Sequence, residues 1–231
     1  MDFQKSFSYP FEDKSWLNKT LIGALVAAVP IINFAWGGYL IDLLKNIMRG
    51  DPMPLPDWSD FGDKFTRGLF VFIASMAYAI PALVLACIPL ALFFIPASSQ
   101  GGDLQDTMLG VLTGVGGLFG CLIALYSLVL SFIFPAIYIH YARIGTFGAF
   151  FEFGNIFKIV RADLGKYLTA WVLSLVAGIV VGLVIGLAGA VLGFIPCIGW
   201  IAAWVLGALA GVYIFFVYAH LFGQYAVEAN A

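Results

Sequence analysis

Two residues of this chain could bind a cofactor: the histidines His140 and His220, the only two among its 231 residues. Each follows a tyrosine by two positions, near the end of a long apolar stretch. Imidazole is a common ligand of haem iron, so two histidines on different helices could hold a haem or a related tetrapyrrole between them. The simpler alternative is a pair of histidines that hydrogen bond to neighbouring helices or to lipid phosphates. We favour this alternative, and the sequence therefore predicts no cofactor.

Charged residues are nearly absent from the long apolar stretches, which argues against an active site. Residues 68–96 contain no Asp, Glu, Lys, Arg or His, and between 166 and 222 the only such residues are Lys166 and His220. No zinc-protease, nucleophile-elbow or phosphate-loop motif occurs anywhere in the chain. We expect neither enzymatic activity nor a metal site.

Asp42 is the only Asp or Glu that lies more than one turn from either end of a predicted membrane helix. Ion-coupled transporters usually hold their ions near the middle of the membrane, beside broken helices. Asp42 lies instead toward a helix end, where Lys45 three residues later can pair with it. The position of Asp42 therefore argues against an ion-coupled pump.

Glycines spaced four residues apart indicate where helices could pack closely. They form one row of Gly178, Gly182 and Gly186 and a second pair of Gly207 and Gly211. Small residues at this spacing let lipid-embedded helices approach each other at short range. We expect these rows to pack inside one bundle, with a seam between copies of the chain as the alternative.

The composition is that of an integral membrane protein. Hydrophobic residues make up 62% of the chain and charged residues 10%, whereas soluble domains are about half apolar and about a quarter charged. The formal net charge is only −2, so no nucleic-acid partner is expected. With roughly 20 apolar residues per membrane span, the chain has room for about six helices in one membrane domain that covers residues 1–231.

The sequence predicts an all-α, multi-pass transmembrane bundle with about six helices arranged as three hairpins. The predicted helices cover residues 16–32, 34–49, 68–96, 104–142, 165–194 and 199–223. The first is the weakest, because 17 residues reach only roughly 25 Å, and this hairpin could be re-entrant. A five-helix alternative has one continuous helix over residues 16–49.

The positions of the basic residues predict the topology. All Lys and Arg residues lie at the N-terminus or in and beside the connectors 49–67 and 143–166, and the opposite loops 31–34, 97–106 and 195–199 contain none. Short loops rich in Lys and Arg remain cytoplasmic. We therefore expect the helices to lie in the cell (inner) membrane with both termini in the cytoplasm.

The three predicted hairpins begin alike, which suggests a triplicated unit. Each entry places an aspartate a few residues before a base: Asp13 before Lys19, Asp63 before Arg67, and Asp163 before Lys166. An acid near the start of a helix is favoured by the helix dipole, and a base can reach the lipid headgroups. Shared chemistry at the membrane surface is an equal alternative to a true repeat.

Two inner connectors, residues 57–66 and 147–162, have amphipathic patterns. In the second, one helical face carries Phe150, Phe153, Ile156, Phe157 and Val160, with Lys158 and Arg161 beside it. Such a segment lies in the plane of the membrane surface with its aromatic side chains among the lipids. We expect an interfacial anchor, and the alternative is a docking site for a cytoplasmic partner.

Three motifs in a fixed order resemble a known family. They are the opening YPFEDKSWLNKTLIGALVAAVPIINFAWGGYL, the connector PLPDWSDFGDKFTRGL and the closing GFIPCIGW and AHLFGQ. In these motifs the chain resembles the prokaryotic membrane-protein family known as domain of unknown function (DUF) 4013, from about residue 7 to 224. The resemblance implies a multi-pass bacterial or archaeal membrane protein and no particular activity or site residue.

The functional expectation from these features is a structural or accessory subunit that contacts lipid and other membrane proteins or a second copy of itself. The nearly charge-free interior and the rows of glycines support this interpretation. One alternative is a small-molecule or lipid transporter or channel whose path lies between helices kinked by Pro81, Pro89 and Pro135. The tetrapyrrole-binding subunit is the second alternative.

Overall fold

A computed structural model of the chain describes residues 1–93, 102–195 and 197–229, with side chains except at 91–93, 102–109 and 111–112. All regular structure in these ranges is helical. The α-helices are α1 (Phe3–Ser8), α2 (Trp16–Ala28), α3 (Phe34–Arg49), α4 (Phe61–Phe93), α5 (Gly102–Ile144), α6 (Phe153–Ala162), α7 (Leu164–Leu192) and α8 (Ile198–Glu228). Short 3-10 helices cover Tyr9–Glu12 and Phe147–Phe151.

The first hairpin is broken in its middle, so the continuous helix over residues 16–49 is wrong. Helix α2 ends at Ala28, before Pro30, and Ile31 has a left-handed backbone with φ of 72°. Proline cannot continue the hydrogen bonding of the preceding turn, and a positive φ ends the helical path. Because α2 has 13 residues, it is about 20 Å long. It is therefore shorter than the predicted segment 16–32 and shorter than the hydrocarbon core.

The two connectors differ from the single segments that the sequence predicts. Residues 61–66 of the predicted segment 57–66 are the first turns of α4, because no helix break separates them from the apolar stretch. The segment 147–162 consists of a 3-10 helix and α6 with Glu152 between them. Of the predicted helix 68–96, residues 94–96 lie outside the described ranges.

The larger of two compact units consists of Met1–Phe72 and Pro135–Ala231. Within it, α8 packs against α1, α2, α3 and α7. Its core contains stacked aromatic rings: the centroids of Tyr39 and Trp58 are 4.5 Å apart, and those of Trp36 and Tyr39 are 5.4 Å apart. This core positions the polar side chains at the helix ends.

The smaller unit, Ile73–Phe134, consists of the adjoining parts of α4 and α5. In it, the Tyr126 hydroxyl donates a hydrogen bond of 2.8 Å to the Tyr78 carbonyl, and the ring of Tyr78 meets that of Phe134 edge to face. These contacts join the two helix segments.

Four helices among the described residues are long and apolar enough to cross a membrane. The qualifying segments are Phe61–Leu90, Thr113–Ile144, Leu164–Leu192 and Ile198–Glu228. Few or no residues of their most apolar windows are buried inside the protein. In water these surfaces would be exposed at a large free-energy cost, which lipid removes.

Candidate functional site

Asp42 is the centre of a charged cluster at the contact between α3 and α4. One carboxylate oxygen accepts a hydrogen bond from Arg67 Nη1, and the other lies 3.7 Å from Lys64 Nζ. The expected pair of Asp42 with Lys45 is wrong, because the described structure contains no ion pair of these two side chains within 4.0 Å. The carboxylate turns to the neighbouring helix instead, where it compensates the buried charge of Lys64.

A glycine pair allows this contact. A Cβ atom added at Gly38 would overlap the backbone carbonyl of Lys64, and one added at Gly68 would overlap the carbonyl of Phe34. Backbones can approach this closely only where neither helix carries a side chain. The predicted topology does not bring this pair together, because it places Gly38 near the outer end of the helix 34–49 and Gly68 at the inner end of the helix 68–96.

A second charged cluster joins the N-terminal segment to the connector before α4. Lys19 Nζ donates to Asp13 Oδ2 and to the Leu55 carbonyl, both at 2.8 Å, and lies 2.9 Å from Asp57 Oδ1. Burial alone raises the pKa of the Asp13 carboxyl, but hydrogen bonds from Lys19 and Ser15 outweigh it and hold the pKa below its ordinary value. Asp13 is therefore a paired carboxylate, which suits a structural role better than proton transfer.

His220 lies in a polar contact between α8 and the N-terminal segment. Its Nδ1 is 2.9 Å from Ser6 Oγ and 2.7 Å from Gln224 Nε2. Its ring stacks on Tyr9 with the centroids 4.3 Å apart. His220 is 6% exposed, so protein contacts surround it on several sides.

His140 has different partners, in the connector before α6. Its Nε2 lies 2.8 Å from Glu152 Oε2, which also accepts a hydrogen bond of 2.8 Å from Asn155. The contact with His140, and then that with Asn155, holds the pKa of the Glu152 carboxyl below its ordinary value. Each histidine thus hydrogen bonds to its own set of side chains. The choice between structural histidines and ligands of a tetrapyrrole stays a prediction.

Each of the three predicted acid–base entries contains an ion pair. The nitrogen–oxygen distances are 2.8 Å for Lys19 with Asp13, 3.8 Å for Arg67 with Asp63, and 3.7 Å for Lys166 with Asp163. Lys166 also lies 3.0 Å from Glu228, which pairs with the N-terminal amine of Met1. In the described residues no three His, Cys, Asp or Glu side chains come together in a group that could hold a metal ion. The clusters thus contain paired charges, and a shared triplicated ancestry stays a prediction.

The aromatic face predicted for residues 147–162 is divided in the structure. Phe150 is 1% exposed and stacks on Tyr141 with centroids 4.1 Å apart, and Val160 is also buried, together with Ile156. Phe153 and Phe157 remain exposed. The prediction of one common face is wrong because Phe150 belongs to the preceding 3-10 helix and the buried stripe of α6 consists of aliphatic side chains. An interfacial anchor formed by Phe153, Phe157, Lys158 and Arg161 stays a prediction.

Within the described residues of the larger unit, no helix lies against the predicted glycine rows. A Cβ atom added at any of five glycines would meet nothing within 4 Å: Gly178, Gly182, Gly186, Gly207 and Gly211. Helices α7 and α8 approach elsewhere, for example at Gly189, whose added Cβ would lie 3.8 Å from Ala203 Cβ. Packing of these glycines against another part of this chain or against a second chain therefore stays a prediction.

Gly207 and Gly211 line an apolar cavity of about 430 Å³ in the larger unit. Aromatic side chains from α3 and α8 form much of its wall, namely Trp36, Trp204 and Phe215. The described lining contains no Asp, Glu, Lys, Arg or His. A cavity of this composition suits an apolar molecule or an acyl chain.

Four long apolar helices with uncovered surfaces define a helical membrane protein. The chain belongs to the family described as "Protein of unknown function (DUF4013)", whose family model matches residues 21–190. This match confirms the resemblance seen in the sequence motifs, although residues 9–20 and 193–224, which carry the first part of the opening motif and the closing motifs, lie outside the matched range. No curated protein and no solved structure matches the chain.

Proposed function

We propose that this protein is a structural or accessory subunit of a membrane assembly, without enzymatic activity of its own. In this proposal the row Gly178, Gly182 and Gly186 on α7 meets a helix of another membrane protein or of a second copy. The observation that carries the proposal is that no helix of the larger unit lies against these three glycines. A continuous row of glycines weakens a helix unless close approach to another helix compensates for it.

The charged clusters support an accessory role over catalysis. Asp13, Asp42 and Asp163 each pair with a base of the same chain. A hydrolytic or transfer site needs a nucleophile, a base and a charge stabiliser that converge on one point. The paired clusters instead hold helix ends together, as expected of a scaffold.

We further propose that the chain lies in a prokaryotic inner membrane as three helical hairpins, α2–α3, α4–α5 and α7–α8, with both termini in the cytoplasm. The one-sided distribution of Lys and Arg supports this topology. The length of α2 favours a re-entrant first hairpin over two complete spans. Either version leaves the termini on the same side.

The proposed contact is tested by enlarging Gly182 to leucine. A leucine side chain would keep the partner helix at a distance, so we expect Gly182→Leu to reduce association about tenfold or more. Association is measured by energy transfer between labelled copies in bilayers and by quantitative co-purification from native membranes. The thermal unfolding midpoint should not fall, because the added side chain enters open space.

The matched control is Val184→Leu, which enlarges an exposed side chain two positions further along α7 and hence on another face. We expect it to leave association unchanged. If Gly182→Leu associates as the unaltered protein does, both with itself and with native partners, the proposed contact is wrong.

The apolar cavity favours a second candidate, a transporter of lipids or small apolar molecules. Gly211→Leu would place a side chain in this cavity while leaving the α7 row intact. If the protein is a transporter, flux of a fluorescent lipid in proteoliposomes should fall with Gly211→Leu and not with Gly182→Leu. If the protein is an accessory subunit, the unaltered protein should cause no lipid flux, and Gly182→Leu should reduce association.

A further inference from the structure

A second cavity in the larger unit has a strongly basic lining. It has a volume of about 610 Å³, within the usual range of ligand sites. Three cations line it, Lys45 and Arg49 near the end of α3 and Arg143 near the end of α5, and the described part of the lining contains no acidic residue. Met48, Ala142 and Val227 supply an apolar wall.

The three cations lack carboxylate partners. Within the described ranges no Asp or Glu oxygen lies within 4.0 Å of the charged nitrogens of Lys45, Arg49 or Arg143. Asp42 pairs with α4, and Glu228 pairs with Met1 and Lys166. Asp51, two residues after Arg49, is not part of the described lining. The cavity thus has uncompensated positive charge.

Lys45 is half-buried in this lining, so its ammonium is partly removed from water. A bound anion would compensate this charge.

Arg143 is held in a defined position at the rim. Its Nη2 donates a hydrogen bond of 3.0 Å to the Ala226 carbonyl in the last turn of α8. A guanidinium has five N–H donors, so the remaining donors are available for paired hydrogen bonds to an oxyanion. Gly50 and Gly145, with φ of 77° and 78°, end α3 and α5 directly beyond these basic residues, which keeps them in the last turns of their helices.

The position of the cavity along the membrane normal indicates which kind of anion it binds. The apolar segments that could cross the membrane end at Ile144 and Glu228, so Arg143 and Val227 lie where a span meets the lipid headgroups. Basic pockets between membrane helices at this depth bind the phosphates of anionic lipids. The apolar wall provides a surface for the glycerol backbone and the first acyl carbons.

We propose that this cavity binds the phosphate group of an anionic phospholipid, held by Lys45, Arg49 and Arg143. Soluble phosphate compounds carry the same phosphate group. The position of the cavity at the depth of the headgroups and its apolar wall favour a lipid. This site is separate from the α7 glycine row and does not depend on the accessory role.

The test is native mass spectrometry of the full chain after reconstitution in phosphatidylcholine bilayers with or without phosphatidylglycerol. We expect the unaltered protein to retain phosphatidylglycerol in preference to phosphatidylcholine. Each basic group near an anionic surface should contribute about fivefold in affinity. Arg143→Gln should therefore reduce the retained phosphatidylglycerol at least about fivefold, and the double variant Lys45→Gln/Arg49→Gln should reduce it further.

Lys14→Gln is the matched control, because Lys14 is an exposed base outside both the cavity lining and the proposed interfacial anchor. It should change retention less than about twofold. If Arg143→Gln fails to fold, the double variant decides, since Arg49 is exposed and Lys45 half-buried. The proposal is overturned if both cavity variants retain as much phosphatidylglycerol as the unaltered protein does. It is also overturned if the unaltered protein retains as much phosphatidylcholine as phosphatidylglycerol.

A separate measurement distinguishes the two sources of phosphate. Inorganic phosphate is added to the delipidated protein, and the shift of the thermal unfolding midpoint is compared with the shift that phosphatidylglycerol causes. We expect a clear shift with the lipid and little with inorganic phosphate. Equal shifts that both disappear in Arg143→Gln would reject the lipid and assign the site to a soluble phosphate compound.

Discussion

Two buried tyrosine hydroxyls in the larger unit have opposite environments. The Tyr9 hydroxyl donates a hydrogen bond of 3.0 Å to the Phe216 carbonyl. The Tyr39 hydroxyl is buried without a hydrogen-bond partner among the described residues. A satisfied buried hydroxyl stabilises a protein by about 1 kcal/mol, and an unsatisfied one costs about 1–3 kcal/mol.

The pair gives a prediction about stability. Tyr39→Phe should raise the free energy of unfolding by about 1 kcal/mol, because it removes the unsatisfied oxygen and keeps the stacked ring. Tyr9→Phe should lower the free energy by about the same amount, because it removes a hydrogen bond from the Phe216 carbonyl. Both are measured as shifts of the thermal unfolding midpoint in detergent. A loss of stability in Tyr39→Phe would show that its hydroxyl has a partner after all.

At the scale of helices, the glycines divide into those that a neighbouring helix requires and those that face open space. Gly38→Ala should destabilise the protein by about 2 kcal/mol, because the added carbon would push α3 away from the Lys64 carbonyl. Gly182→Ala should be neutral or should stabilise the free chain by about 0.5–1 kcal/mol, since alanine favours the helix and meets nothing within 4 Å.

The comparison is made by thermal unfolding of the two alanine variants in the same detergent. The predicted order places Gly38→Ala below the unaltered protein and Gly182→Ala at or above it. The reverse order would mean that α7, and not the contact of α3 with α4, contains the close packing of the folded chain.

Apolar periodicity and helix-ending residues are local properties, which is why the sequence could predict the helical membrane class. The segment 34–49 shows this well: Asn33 and Gly50 flank helix α3, and Gly50 has the left-handed backbone that ends a helix. The motifs likewise led to the family, and the family match confirms it.

Contacts between distant segments could not be predicted in the same way. The sequence offered Lys45 as the partner of Asp42 because three residues separate them on one helix. The actual partner, Arg67, is 25 positions away and reaches Asp42 through the approach that Gly38 and Gly68 permit. The division of residues 147–162 was missed for a related reason, because only tertiary packing shows that Phe150 stacks on Tyr141.

At the scale of the whole molecule, the basic residues make a prediction about membrane topology. All Lys and Arg residues lie at the N-terminus or in and beside two connectors, and Asp103, at the start of α5, belongs to the stretch 97–106, which contains none of them. Under the positive-inside rule Lys45, Lys64 and Lys158 face the cytoplasm, and Asp103 faces the opposite side.

The prediction can be tested with single cysteines in a chain whose Cys87, Cys121 and Cys197 are replaced by alanine. A membrane-impermeant maleimide applied from outside should label Asp103→Cys and not Lys158→Cys, and labelling of both from one side would reject the topology. Ile31→Cys then distinguishes the two forms of the first hairpin, because Ile31 is exposed in the turn between α2 and α3. A complete span would carry this turn to the outer surface, where it would react. Since α2 is only about 20 Å long, we expect Ile31→Cys to remain unlabelled within the hydrocarbon until detergent is added.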